Sequence, residues 1–105
     1  MANLKGKTYS IHVHHGLGDV DPADGNVDLE VTFEDGSRYA ATFFTLNNLR
    51  SHFAKNERTG ECKGGLYLWA SDMVIVRELT NECISETVAD LIAQDEFEGA
   101  FCKLT

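Results

Sequence analysis

No run of apolar residues in this chain approaches the ~20 needed to cross a bilayer. The opening segment, MANLKGKTYSIHV, has two lysines but no apolar stretch, so a secretory signal is not expected either. Cysteine is sparse: Cys62, Cys83 and Cys102 make an odd set with no CxxC spacing. That excludes a disulfide framework and reads as reduced thiols, small buried hydrophobes of a cytoplasmic protein. Repeats, low-complexity tracts and Pro/Gly/Ser-rich linkers are missing, so residues 1–105 read as one domain, long enough to bury a core unaided. The shortage that says most is of basic residues. Nine Lys and Arg against seventeen Asp and Glu leave a net charge of −8. Such a field repels phosphates and anionic lipid, so neither nucleic acid nor membrane is an expected partner, and it speeds encounter with a basic protein.

Patterning gives an element order. Tyr9, Ile11 and Val13 alternate with Ser10, His12 and His14, and Val27, Leu29, Val31 and Phe33 alternate with Asp28, Glu30, Thr32 and Glu34; both are strand patterns. "EDGS" (34–37) is an Asp-Gly hairpin turn leading into a third strand, "RYAATFF" (38–44). Thr45 caps a helix with Leu46, Leu49 and Phe53 at helical spacing, ended by Gly60. "LYLWA" (66–70) and "MVIVREL" (73–79) then read as a second hairpin joined by Ser71-Asp72. Tyr67 and Trp69 alternate within it as core residues; a ligand cleft beside them is the rival reading. Thr80 caps a last helix whose Ile84, Val88, Leu91 and Ile92 form its buried stripe. The tail, "FEGAFCKL" (97–104), suits one more helical turn or an edge strand. The order β-β-β-α-β-β-α predicts an α+β domain, an antiparallel sheet with two helices packed on it.

"HVHHGLGDVDPADGNVDLEV" (12–31) holds three histidines and four aspartates and raises the question of a metal. As a calcium loop it matches at Asp19, Asp21 and Glu30 but fails where the glycine is required, at Asp24; the glycine comes one residue late, at Gly25. For zinc, His12 and His14 share one strand face. Antiparallel pairing of the first two strands, with residue numbers summing to about 42, sets His12 opposite Glu30 and His14 opposite Asp28. A two-His, two-carboxylate site and ordinary cross-strand pairs both fit that register. No cysteine falls at ligand spacing, and no cofactor is implied.

Catalysis has less support. "HGLGD" (15–19) contains a GxG without the third glycine or the strand-turn-helix setting of a phosphate loop. Ser51 and His52 are consecutive on a helix and diverge by about a hundred degrees, so they make no nucleophile–base pair. The chain reads as non-enzymatic.

The acids are grouped. Asp19, Asp21, Asp24, Asp28, Glu30, Glu34 and Asp35 form a run followed by a single nearby base, Arg38, and so read as an acidic lobe. Glu78, Glu82, Glu86 and Asp90 recur every four residues, so the last three lie along one ridge of the final helix. Like charges at this spacing weaken a helix slightly, although Glu82 complements the helix dipole. Spaced carboxylates of this kind can occupy the anion sites that a phosphate backbone would fill on a basic protein.

Residues 43–101 carry a set of motifs: Phe43-Phe44-Thr45-Leu46, Thr59-Gly60-Glu61, and Tyr67 to Val76 with Trp69 and Asp72-Met73. Asp90-Leu91-Ile92 and Glu96-Phe97-Glu98 to Phe101 complete it. In these the chain resembles small immunity proteins of bacterial toxin systems, including contact-dependent growth inhibition. The resemblance implies a cytosolic protein that binds and neutralises one cognate toxin domain, commonly a nuclease. It covers a little over half of the chain, through core and turn residues, and assigns no contact residues. The expectation is therefore an inhibitor of a basic toxin, with the lobe from Asp19 to Asp35 and the ridge of Glu82, Glu86 and Asp90 as contacts. A phage-type inhibitor of a nucleic-acid-binding complex fits the same charge, and a metal-binding protein using His12, His14, Asp28 and Glu30 is the third reading.

Overall fold

A computed structural model of the chain describes residues 4–105; the first three residues of the expected 1–105 domain lie outside the described residues. The elements are β1 (Tyr9–Val13), β2 (Asn26–Phe33), β3 (Arg38–Thr45), α1 (Leu46–Thr59) and α2 (Glu61–Gly65). They continue through β4 (Met73–Val76), α3 (Asn81–Ala93), α4 (Phe97–Ala100) and β5 (Cys102–Lys103). The protein is an α+β domain with five strands and four helices in one sheet-centred unit.

The turn at 34–37 fixes its centre. Gly36 takes φ +88° and donates its amide to Phe33 O, and Phe33 N donates to Ser37 O, which closes β2 against β3. Asp35 Oδ1 accepts from the Ser37 amide (2.9 Å) and hydroxyl (2.6 Å), so the side chain the turn chemistry asks for is the one present. On the other side of β2, Tyr9 pairs with Phe33, Ile11 with Val31 and His12 with Glu30, the register with sum 42 that the alternation predicts.

One sheet face is apolar. Leu29, Val31, Phe33, Tyr39 and Phe43 are buried there beneath Ile84, Val88 and Ile92 of α3, which recur every four residues as an amphipathic helix requires. Leu91 of the expected stripe is only partly buried. Thr80 caps α3 by accepting from the Cys83 amide at 3.1 Å. The tail resolves into both of its options, the short helix α4 and then β5 on the edge of β3. Phe97 and Phe101 stack at 4.3 Å, and Phe97 meets Phe33 and Tyr39 edge-on at 5.6 and 5.1 Å, sealing that end of the core.

The second half departs from the expected pattern. Residues 66–70 form no strand, so the expected hairpin of 66–70 with 73–79 is not formed; β4 instead pairs parallel with β3, Thr42 beside Met73 and Thr45 beside Val76. A parallel neighbour needs a crossover of a dozen or more residues, and residues 46–72 supply it. Asp72, at φ +52°, turns the chain into the ladder, its carbonyl accepting from Thr42 N. Without a partner strand, Leu66, Tyr67 and Trp69 are left exposed, Trp69 at 73%, so the expectation that Tyr67 and Trp69 are core is corrected. Helix α1 buries only Asn56, and its Leu46 and Phe53 face solvent, because Asn48, Leu49 and His52 form its inward side. The cysteines are not fully buried as expected: Cys83 is half-buried against the core, Cys62 is half-buried and Cys102 is exposed.

Candidate functional site

β1 ends at Val13, but His14 N still donates to Asp28 O at 2.9 Å, one step further along the same register. The chain then reverses in a turn in which Gly16 N donates to Val13 O and His15 sits at φ +63°. Leu17 and Val20 pack against the edge of the core. Asp21 Oδ1 accepts from the Ala23 amide, a local Asx turn that holds Pro22 in place. Pro22 O accepts from Leu79 N at 2.8 Å, and Thr45 Oγ1 accepts from Gly25 N at 3.1 Å. The loop between β1 and β2 is therefore tied to the sheet, to the lead-in of α3 and to the cap of α1.

That anchoring shapes a pocket of about 310 Å³ lined by His14, His15, Gly16, Asp19, Val20, Asn26, Val27 and Asp28. Val20 and Val27 give it apolar wall, and Asp19 and Asp28 supply carboxylates. Asp28 Oδ1 accepts the Thr42 hydroxyl at 2.6 Å, which fixes one carboxylate oxygen across the β2–β3 ladder. The rings of His14 and His15 meet edge-on at 5.3 Å, and those of His12 and His14 at 5.9 Å. Such a pocket offers acceptors to a cationic or multiply donating group and apolar surface to its stem.

The anticipated carboxylates do not make one lobe. Asp24 turns toward α1, accepting from Ser51 Oγ at 3.3 Å and Asn48 Nδ2 at 3.4 Å. Glu30 lies on the open sheet face, and its two oxygens accept from Arg38 Nη2 at 2.9 and 3.1 Å, so this part of the run is salt-bridged after all. Glu34 and Asp35 occupy the hairpin at the far end of β2, whose eight residues span about 26 Å. Asp35 is further engaged by Lys7 at 3.0 Å. Its contacts with Ser37, and then with Lys7, hold its carboxyl far below the ordinary value. Glu82, Glu86 and Asp90 are exposed on α3, which covers the apolar face of the sheet, whereas His12, His14, Asp28 and Glu30 alternate onto the opposite face. One flat contact cannot reach the two groups together.

The cross-strand pairs weighed for zinc do form as register neighbours, His12 with Glu30 and His14 beside Asp28. Among the described residues no group of three or more His, Cys, Asp or Glu could hold a metal ion. Arg38 pairs with Glu30, and Asp21 Oδ1 accepts from the Ala23 amide, so two of the three calcium-loop matches are engaged in contacts of their own. Sequence reasoning missed His15, Asn26 and Thr42 as site residues, and it read Thr45 as a helix cap without its second role at Gly25. A signal for Thr42 was available: a hairpin closed by Phe33 and Ser37 makes the β2–β3 pairs sum to 70, which sets Thr42 opposite Asp28.

No protein-family model, no curated protein and no solved structure matches this chain.

Proposed function

We propose that the chain is a non-enzymatic inhibitor of the bacterial immunity type, which binds a basic toxin domain of nuclease chemistry through the loop between β1 and β2. The observation that carries this reading is the pocket at His14, His15, Asp19 and Asp28, set in a stretch without a single Lys or Arg between Lys7 and Arg38. A guanidinium entering it would meet two carboxylates at its rim and apolar lining at Val20 and Val27, an arrangement suited to arginine's planar fork. A nuclease needs cations where it holds phosphate. Carboxylates fixed by a tied loop engage those cations without first having to be ordered. The resemblance carried by the motifs at 43–101 is the second support for this reading.

The test is titration of the purified chain with the toxin-like domain encoded beside its gene, at low and at raised salt, with toxin activity followed in parallel. The reading expects a stoichiometric complex that weakens as salt rises and abolishes toxin activity. Asp19→Asn with Asp28→Asn should weaken it on the order of tenfold or more. No complex at low salt would end this reading.

A further inference from the structure

We infer that the protein pairs with a second copy of itself through α1, the two helices lying antiparallel across a two-fold axis. This does not rest on the inhibitor reading. Five of the seven large exposed apolar side chains among the described residues fall between Leu46 and Trp69. Leu46 and Phe53 are seven apart and share the outward stripe of α1, with Arg50 and Glu57 between and after them. Gly65 packs on the backbone of that helix, where an added Cβ would stand 2.9 Å from Phe53 O and 3.2 Å from Glu57 N. Leu66, 72% exposed, therefore emerges beside the turn that carries Phe53, and Tyr67 and Trp69 follow it. Exposed Trp and Tyr next to Leu and Phe, with arginine at the margin, is the composition of an interface centre.

Charge selects the occupant. Residues 46–71 hold four bases and two acids, while the remainder holds five bases and fifteen acids. Two molecules of charge −8 repel in most orientations. The N-terminal end of α1 is bound to the acidic loop, with Asn47 donating to Ala23 O and Ser51 to Asp24. The C-terminal end carries Lys55 and Arg58, and Lys63 follows in α2. An antiparallel pair sets the basic end of each helix against the acidic end of the other, twice, and brings Arg50 of one copy beside Glu57 of the other. A two-fold axis closes this arrangement, so it ends at the dimer.

Sedimentation equilibrium of the full chain at low salt tests the inference. It expects twice the 11.6 kDa chain mass at concentrations on the order of 100 μM, with weakening as salt rises. Phe53→Glu should return the monomer, and circular dichroism should show that this exposed substitution leaves the fold intact. Arg58→Glu and Asp21→Lys should each weaken self-association about tenfold or more, while a mixture of the two should restore it as a heterodimer. A monomer throughout that concentration range, or a dimer indifferent to Phe53→Glu, overturns the proposal.

Discussion

Thr45 Oγ1 accepts the amide hydrogen of Gly25 at 3.1 Å, and the same oxygen accepts the Asn48 amide at 3.2 Å as the N-cap of α1. One hydroxyl thus starts the helix and closes the pocket loop, and at 1% exposure it does so away from water. Thr45 N also donates to Gly25 O, so the contact is a two-way clasp between the start of β2 and the end of β3. Close approach explains the glycine: a Cβ at position 25 would stand 2.9 Å from Val20 Cγ1 and 3.1 Å from Asp21 O. The glycine that arrives one residue late for a calcium loop is thus required by the close packing of Val20 and Asp21 against it.

Thr45→Val keeps the shape and deletes the oxygen. Losing the cap costs about 1 kcal/mol, and leaving the Gly25 amide without its acceptor costs about 1–3 kcal/mol more. A loss of about 2–4 kcal/mol is expected in urea denaturation, with amide shifts spread over residues 14–25. Thr45→Ser, which retains the oxygen, should stay within about 1 kcal/mol of the parent.

Left-handed backbone at α2 gives a prediction of opposite sign. Cys62 (φ 48°, ψ 47°) and Lys63 (φ 54°, ψ 50°) precede Gly64 and Gly65, also at positive φ, so four consecutive residues wind left-handed. Each residue with a Cβ costs about 1–2 kcal/mol in that conformation, more than glycine's extra entropy of about 0.5–1 kcal/mol. Lys63→Gly should therefore raise stability by roughly 0.5–1 kcal/mol in the same denaturation assay. A loss of similar size would show that the turn is not left-handed in solution.

The first half of the chain was legible because its signals are local or periodic. The Asp-Gly turn and the alternation of Val27 to Phe33 together fix the register of three strands, down to His12 opposite Glu30. The caps at Thr45 and Thr80 were equally plain, since each needs only the amide three residues on. "LYLWA" misled because aromatic residues in an alternating apolar run describe fit to a pleated surface, and whether such a surface is available is a tertiary matter. The edge of β3 was taken by Met73–Val76 in parallel, through a crossover that no local signal marks. The acidic lobe failed in a similar way. Sequence proximity gathers Asp19 to Asp35, but an eight-residue strand carries the last two to the opposite end, and a cross-strand diagonal gives Glu30 to Arg38.

Tyr39 offers a substitution expected to help. Its ring is 1% exposed among Phe33 and Phe97, and its hydroxyl is buried with no hydrogen-bond partner among the described residues. Burial, reinforced by the carboxylates of Glu98 and Asp35 against the opposing Lys7, pushes the phenol above its usual pKa. The cost lies in the desolvated oxygen, since the ring contacts survive in phenylalanine. Tyr39→Phe should be neutral or more stable by up to about 2 kcal/mol. Destabilisation beyond about 1 kcal/mol would mean that the hydroxyl has a partner in solution.

Asp35 sets an acid limit on the β2–β3 hairpin. The Ser37 hydroxyl and amide, followed by Lys7, hold its carboxyl well below the ordinary value of 3.8. A carboxyl depressed in the folded state favours folding wherever the unfolded chain's carboxyl is ionised. The contribution is complete above about pH 5, and it fades as pH drops past the unfolded value toward the lower folded one. Asp35→Asn removes that dependence while leaving a side-chain oxygen for the turn. Stability measured by denaturation should favour the parent at neutral pH, and the gap should narrow steadily between about pH 5 and pH 2. A gap of constant size across that range would show that the turn depends on side-chain shape at position 35, and that its charge contributes nothing.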